Sequence, residues 1–152
     1  MSSLSFVIDE WLLHDLAGQN GKDAQEEAGN FLRKLKEKCD KIVVLRGSPW
    51  AQKAYGLMTQ PDPLISKLSK YLHVAILLNS QKCRLLSSDD LRELPDNLKN
   101  LVPADDLYLV EIFDSANAKA LVTTDKTLYQ SLSTAQIINI RLRDDFLKEY
   151  LA

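Results

Sequence analysis

Apolar residues along this chain occur in two spacings: short continuous runs, and longer segments that repeat every three or four positions. The continuous runs have the length of β-strands that are buried on both faces. They predict strands at residues 4–8, 41–45, 120–122 and 136–140, and residues 83–86 form either a fifth strand or a loop. The repeating segments are typical of amphipathic helices. They predict helices at residues 11–16, 23–39, 49–58, 64–79 and 144–151, one from residue 107 to a turn at 117–119, and another after residue 126.

Helix boundaries are indicated by residues that cap or interrupt helices. Asp23 is followed three residues later by Glu26, which is the spacing of a capping box. Ser48 and Pro49 fit the N-cap and first position of the next helix. The sequence Gln-Pro-Asp-Pro at residues 60–63 interrupts the pattern, because a residue that precedes proline is pushed away from helical geometry. These signals separate the helices from one another.

Strand-length runs alternate with helical segments over most of the chain. This alternation is typical of βαβ crossovers, which place helices on both faces of a parallel sheet. We therefore predict an α/β fold, a three-layer α/β/α sandwich with a central, mainly parallel sheet. A length of 152 residues, with no internal repeat or linker, predicts a single domain over residues 1–152.

The composition narrows the possible functions only slightly. A formal net charge of −2 provides no general attraction to nucleic acid, so such binding would need a local basic patch. The sequence shows no signal-peptide pattern and no membrane-spanning apolar run, and its two cysteines are isolated, which together predict a cytoplasmic protein with no membrane partner. No Walker loop, dinucleotide-binding glycine motif or nucleophile elbow is present.

Acidic residues follow two of the predicted strands and precede one predicted helix. Asp9 ends the first strand, Asp125 ends the strand at 120–122, and the pair Asp105-Asp106 precedes the helix from residue 107. Parallel strands end at one shared edge of the sheet, where α/β proteins bind ligands. Converging carboxylates repel one another unless a cation lies between them, and Mg²⁺ prefers oxygen ligands. Each acid also precedes a helix, so N-capping is the alternative interpretation.

The sequence resembles PIN-domain proteins in three stretches, VIDEWLL, DDLYLVEIFDSANAKALVTTDKTL and INIRLRDDFLKEYL. The resemblance covers essentially the whole chain in the same order, and its most specific part is the acid-led helix followed by an apolar strand and Thr-x-Asp-Lys. Members of this family are mostly metal-dependent ribonucleases, including the toxins of toxin–antitoxin pairs. The resemblance thus implies the same α/β sandwich and cleavage of single-stranded RNA with Mg²⁺ or Mn²⁺. It also implies, as a partner, a small antitoxin protein.

The resemblance assigns roles to particular residues. Asp9, Asp106 and Asp125 would be the catalytic, metal-binding acids, with Asp105 as the alternate to Asp106. Thr123 occupies the Thr/Ser position of the motif and would orient a carboxylate or a metal-bound water.

One family position is not matched, because the usual Glu on the helix after the second strand has no counterpart. That segment reads Arg-Gly-Ser-Pro-Trp-Ala-Gln-Lys over residues 46–53. Gln52 is near the position, but an amide is a poor ligand for Mg²⁺, and Glu10 would substitute only if the end of the first strand bends inward. The alternative function is therefore a weakened or inactive PIN-like module that binds RNA or a protein.

Two further features bear on partners. The most basic part of the chain extends from Arg33 to Lys53 and predicts either a phosphate-binding patch or a solvated helix face. Apolar residues on the helices at 64–78 and 144–151 would support a homodimer if they are exposed.

Overall fold

The computed structural model describes residues 3–136 and 138–152. Within these residues five parallel strands form one sheet: β1 (Ser5–Ile8), β2 (Lys41–Leu45), β3 (Cys83–Leu86), β4 (Ala120–Thr123) and β5 (Ile140–Leu142). The strand order is β3-β2-β1-β4-β5. The predicted α/β fold with a parallel sheet is confirmed, and residues 83–86 are a strand.

Eight α-helices of the described residues cover the sheet. They are α1 (Trp11–Leu16), α2 (Lys22–Glu37), α3 (Pro49–Gly56), α4 (Pro63–Tyr71), α5 (Asp96–Lys99), α6 (Leu107–Ala116), α7 (Lys126–Ala135) and α8 (Arg143–Tyr150). Among the described residues no helix is long and apolar enough to cross a membrane.

Alternate residues of β1, β2 and β4 enter two separate cores, because neighbouring side chains point to opposite faces of a sheet. Phe6 and Ile8 of β1 pack with α1, α2 and α8, whereas Val7 packs with α5, α6 and α7. In the first core the rings of Phe6 and Phe31 each lie edge-on or tilted against Phe146 and Tyr150, with centroids 5.1 to 5.9 Å apart. Helices thus cover both faces, as a three-layer sandwich requires.

Two predicted boundaries are wrong. The helix predicted from Asp23 begins at Lys22, and Asp23 makes no capping bond, because Gly21 with φ 97° turns the chain directly into the helix. The strand predicted at 136–140 lies at Ile140–Leu142, since α7 extends to Ala135 and Gln136 adopts a left-handed conformation that ends it. Residue 137 of that prediction lies outside the described residues.

The prediction for the helix start at Ser48 is confirmed. Its hydroxyl accepts a hydrogen bond from the backbone N–H of Ala51 at 3.2 Å, with Pro49 in the first turn. The single helix predicted at 64–79 has two parts, since α4 continues into a π-helical segment at Leu72–Leu77. Helix α3 ends at Gly56 and is followed by a short 3₁₀ turn, Leu57–Thr59, so its predicted end at 58 is slightly late.

Candidate active site

The candidate acids lie where the direction of strand order reverses. From β1 the chain adds β2 and β3 on one side of the sheet and then returns to add β4 and β5 on the other. All strands are parallel, so the carboxyl ends of β1 and β4 meet at one edge. Open α/β sheets bind ligands at this kind of reversal. Asp9 directly follows β1 and Asp125 lies two residues after β4.

Thr123 joins the two strand ends through its side chain. Its hydroxyl donates a hydrogen bond to Asp9 Oδ2 at 2.7 Å and accepts one from the backbone N–H of Asp125 at 3.0 Å. The Thr123 residue is fully buried. The other carboxylate oxygen of Asp9 accepts the backbone N–H of Glu10 at 2.7 Å. The Asp9 carboxylate is thereby held in one orientation.

Asp106 approaches the same acids from the end of the 3₁₀ turn Ala104–Asp106, which leads into α6. It is half-buried, whereas its neighbour Asp105 is exposed. The charges of Asp9 and Asp125 both raise the pKa of Asp106, after burial. Although both aspartates line the cleft, the partial burial of Asp106 favours it over Asp105 as the inward-facing acid.

Burial and the repulsion between neighbouring acids raise the pKa values of Asp106 and Asp9. The pKa of Asp106 is raised to about 6, first by burial and then by the charges of Asp9, Asp125, Asp105 and Glu10. Burial is also the largest cause that raises the pKa of Asp9, and the charges of Glu10 and Asp125 add to it. The hydrogen bonds from Thr123 and Glu10 act in the opposite direction. The site thus carries more negative charge than its own surroundings neutralise.

N-capping accounts for only one of these acids. Asp125 Oδ1 accepts the backbone N–H groups of Thr127 and Leu128 at 3.0 and 3.1 Å, which caps α7. Asp106 stands at the N-cap position of α6 without a capping bond. The Asp9 carboxylate bonds only the adjacent N–H of Glu10 and the Thr123 hydroxyl. Helix capping therefore does not explain why Asp9 and Asp106 are acidic.

Glu10 does reach the site, but a lysine is paired with it. Lys53 Nζ, on α3, lies 2.8 Å from Glu10 Oε2. Gln52 points away, because its side-chain amide donates to the Gly47 carbonyl at 3.0 Å. Helix α3, on which the family resemblance implies a further acid, therefore presents the Lys53 cation to the cleft.

Glu10 and Asp106 line a cleft of about 480 Å³, together with Pro49, Lys53, Ala104, Asp105 and Tyr108. Asp9 and Asp125 are not among its lining residues. The Tyr108 hydroxyl is buried and donates no hydrogen bond within the described residues. Burial, followed by the charges of Glu10, Asp9 and Asp106, raises the pKa of Tyr108, whereas the backbone N–H of Trp50 acts in the opposite direction, so the hydroxyl stays protonated. A buried donor without an acceptor indicates a place where a ligand or a water binds.

Two tryptophans fix the backbone beneath the cleft. Trp11 Nε1 donates to the Val122 carbonyl at 3.0 Å, and Trp50 Nε1 donates to the Asp9 carbonyl at 3.3 Å. Both rings are buried, with 3% of each residue exposed. They hold the ends of β1 and β4 in place, and their burial leaves no face on which a nucleic-acid base could stack.

The donor set agrees with a hard cation in its chemistry but is not a closed cage. Asp9, Asp106 and Asp125 offer only carboxylate oxygens, which Mg²⁺ prefers. Over residues 3–136 and 138–152, however, no three Asp, Glu, His or Cys side chains are close enough together to form a metal-binding group. Mg²⁺ commonly uses one or two carboxylates together with waters and substrate phosphates. The residues fit that open type of site.

Lys53 and Tyr108 are the cleft residues that sequence reasoning did not identify. Lys53 was placed only within a general basic stretch, because nothing in the sequence pairs it with Glu10, 43 positions away. Tyr108 carried one usable signal, since it lies two residues after Asp106, in the first turn of α6.

Comparison with known proteins adds no further assignment. The chain matches no protein-family model, no curated protein and no solved structure. The function of this chain therefore has to be inferred from the geometry of its cleft.

Proposed function

We propose that this chain is a divalent-metal-dependent ribonuclease of the PIN-domain type that cleaves single-stranded RNA in the cytoplasm. The observation that supports this most directly is the link Asp9–Thr123–Asp125 at the point where the strand order reverses. Asp106 adds a third carboxylate whose charge is coupled to the other two. An arrangement of this kind destabilises the protein unless a cation offsets the repulsion.

Asp9, Asp106 and Asp125 would hold Mg²⁺ or Mn²⁺, one or two of them directly and the others through bound waters. Such an ion, when bound, lowers the pKa of a coordinated water and stabilises the charge that develops on a phosphoryl group. The protein's own contribution is orientation. Thr123 fixes one oxygen of Asp9, and the capping bonds of α7 fix one oxygen of Asp125, which leaves the second oxygen of Asp125 available as a ligand.

Lys53 and Tyr108 line the same cleft as Asp106 and would bind the RNA backbone there. The Lys53 ammonium group is half-exposed, and the Tyr108 hydroxyl donates no hydrogen bond among the described residues. Both are hydrogen-bond donors, which is what phosphate oxygens require. Donors beside acids give the cleft a polarity suited to a phosphodiester.

Incubation of unstructured RNA with the purified chain and Mg²⁺ or Mn²⁺ tests this function. We expect cleavage that EDTA abolishes, and that Asp9→Asn or Asp125→Asn lowers by at least roughly 100-fold. Asp114→Asn, an aspartate of α6 outside the cleft, is the matched control and should retain full activity. No turnover with either ion, or full activity in Asp125→Asn, would overturn the proposal.

A second candidate is a PIN-like module that binds RNA or a protein partner without cleaving it. The ion pair between Lys53 and Glu10 favours this alternative, because it neutralises an additional acid of the cleft. It predicts RNA binding in EDTA that is equal in the wild type and in Asp9→Asn, with no cleavage under any condition. Metal-dependent turnover by the wild type would contradict it.

A further inference from the structure

A groove of about 630 Å³ runs between α2 and α4 and along the π-helical segment Leu72–Leu77. A second hollow of about 200 Å³ adjoins it and shares Gly29, Arg33 and Leu68 with it. We refer to the two together as the α2–α4 groove. The residues that line it are all different from those that line the acidic cleft. It is therefore a separate surface, and what it binds does not depend on the proposed nuclease function.

The floor of the α2–α4 groove is aliphatic and open to solvent. Leu64 is 47% exposed and Val74 is 61% exposed, although both are large apolar residues. Leu68 and Tyr71 continue the floor between them. Residues at spacings of three and four lie on one face of a helix. The exposed face of α4 and the π-helical segment is thus a continuous apolar stripe.

Gly29 lines the groove and, having no side chain, leaves space above the groove floor. It lies in the middle of α2, where glycine costs about 1 kcal/mol relative to alanine. A Cβ at this position would meet only the end of the Leu68 side chain, at 3.4 Å, so tight helix packing does not require glycine here. The π-helical segment, closed by the bond from Leu78 N–H to the His73 carbonyl at 2.8 Å, is a second irregularity at the groove. Such segments occur often at functional sites.

The rim of the α2–α4 groove is basic. Arg33, Lys36, Lys67 and Lys70 line it and are exposed, and the adjoining hollow adds exposed Lys22 and one acid, Glu26. In the part of the chain that the structure describes, none of the four forms an ion pair. Four cations that line one groove repel one another in a chain whose formal net charge is −2. The rim is therefore complementary to an acidic partner.

We propose that the α2–α4 groove binds an amphipathic helical segment of another protein, with acidic residues on both sides of an apolar stripe. An apolar helix face that packs into a groove is a common mode of peptide recognition, and the basic rim selects for flanking carboxylates. An RNA strand fits less well, since base stacking uses aromatic faces. Here the floor is mainly aliphatic, and Tyr71 is half-buried with Lys36 Nζ 5.9 Å from its ring centroid. A bilayer surface does not enter a concave groove.

The test uses a fluorescein-labelled peptide of about 15 residues, long enough for four helical turns. It carries Leu at spacings of three and four, with Glu at the flanking positions. Fluorescence anisotropy with the full chain should show saturable binding that weakens at high salt. Two matched peptides serve as controls: one replaces every Glu with Lys, and the other has the same composition but a disrupted apolar stripe.

Variants of the protein locate the binding. Lys67→Glu/Lys70→Glu should weaken binding of the Glu peptide by roughly tenfold or more, because it reverses two rim charges. Lys119→Glu/Lys148→Glu makes the same charge change at exposed positions outside the groove and should alter affinity less than about twofold. Val74→Ser should also weaken binding, and since Val74 is largely exposed, circular dichroism should show that this variant folds.

Several outcomes would overturn the proposal. These are no binding of the Glu peptide, equal binding of either control peptide, or an affinity that Lys67→Glu/Lys70→Glu leaves unchanged. Binding of polyuridylate or of anionic vesicles that depends on the rim lysines, without peptide binding, would assign the groove to RNA or to a lipid surface. A dimer in light scattering that Val74→Ser dissociates would assign it to a second copy of this chain.

Discussion

Replacing Asp106 with asparagine should stabilise this protein at neutral pH while it removes activity. The side chain keeps nearly the same shape and loses the charge that Asp9 and Asp125 repel. One unit of difference between folded and unfolded pKa values corresponds to about 1.4 kcal/mol. The pKa of Asp106 is about 6 against an ordinary value of 3.8, which sets an upper limit near 3 kcal/mol. Because Asp106 is only half-buried, solvent screening reduces the expected gain to about 1 kcal/mol.

The pH dependence gives this prediction its sign. When folding raises the pKa of a carboxyl group, that group does not lower the free energy of unfolding below its unfolded pKa, because it is protonated in both the folded and the unfolded state. As the pH rises from about 4 to about 6, the unfolded chain ionises while folded Asp106 holds its proton, so stability is lost across this range. The advantage of Asp106→Asn should therefore be present at pH 7 and absent near pH 3.5.

Urea unfolding of the wild type and of Asp106→Asn at both pH values measures this difference. Asp89→Asn is the matched control, since Asp89 is exposed and lies outside the cleft, and its stability should change by less than about 0.5 kcal/mol at either pH. Mg²⁺ should raise the free energy of unfolding of the wild type more than that of Asp106→Asn, because a ligand stabilises only a state that it binds. A gain of equal size at both pH values, or destabilisation at pH 7, would show that charge repulsion is not what Asp106 experiences.

Three other substitutions test the supports of the site and of the fold. Thr123→Val removes one hydrogen bond to a carboxylate and one from a backbone N–H, and should cost about 2–4 kcal/mol in urea unfolding. It should also lower any nuclease activity. A loss of stability no larger than that of exposed Thr124→Val would contradict the role given to the Thr123 hydroxyl. Asp15→Asn should cost about 3 kcal/mol in urea unfolding, since it removes the buried carboxylate that pairs with Arg143 at 2.7 Å and leaves only the more exposed partners Glu27 and Asp144. Glu149→Gln in an exposed ion pair should cost less than about 1 kcal/mol. Asp62→Ala removes the N-cap bonds of α4 and should cost about 1 kcal/mol in thermal unfolding; no loss would mean that the cap is not formed in solution.

The fold was predictable because its strands are continuous apolar runs. Residues such as Val7 and Val43 pack on one face of the sheet while their neighbours pack on the other, so both faces demand apolar side chains. That pattern predicts a covered, parallel sheet directly. Element ends were less predictable, because they depend on single backbone conformations. Gly21 and Gln136, both with positive φ, moved a helix start and a strand start away from the predicted positions.

The candidate site was predictable only in part. Asp9 and Asp125 could be placed at one edge from the strand pattern alone, since parallel strands end together. That β1 and β4 are neighbours is a long-range pairing, across more than 110 positions, which the sequence does not encode locally. The choice between Asp105 and Asp106 also required the structure, because adjacent residues at a helix start differ only in which of them turns inward.

The Glu that the family pattern would place on α3 is absent, and this changes the balance of charge in the cleft. Lys53 neutralises Glu10, yet burial and the charges of the neighbouring acids still raise the pKa of Asp106. Substitution of Asp106, which makes no capping bond, should stabilise the protein, whereas substitution of Asp9 or Asp125 also removes hydrogen bonds. Under the proposed function, a divalent cation with few protein ligands would offset the repulsion at Asp106 and leave Lys53 and Tyr108 to hold the substrate.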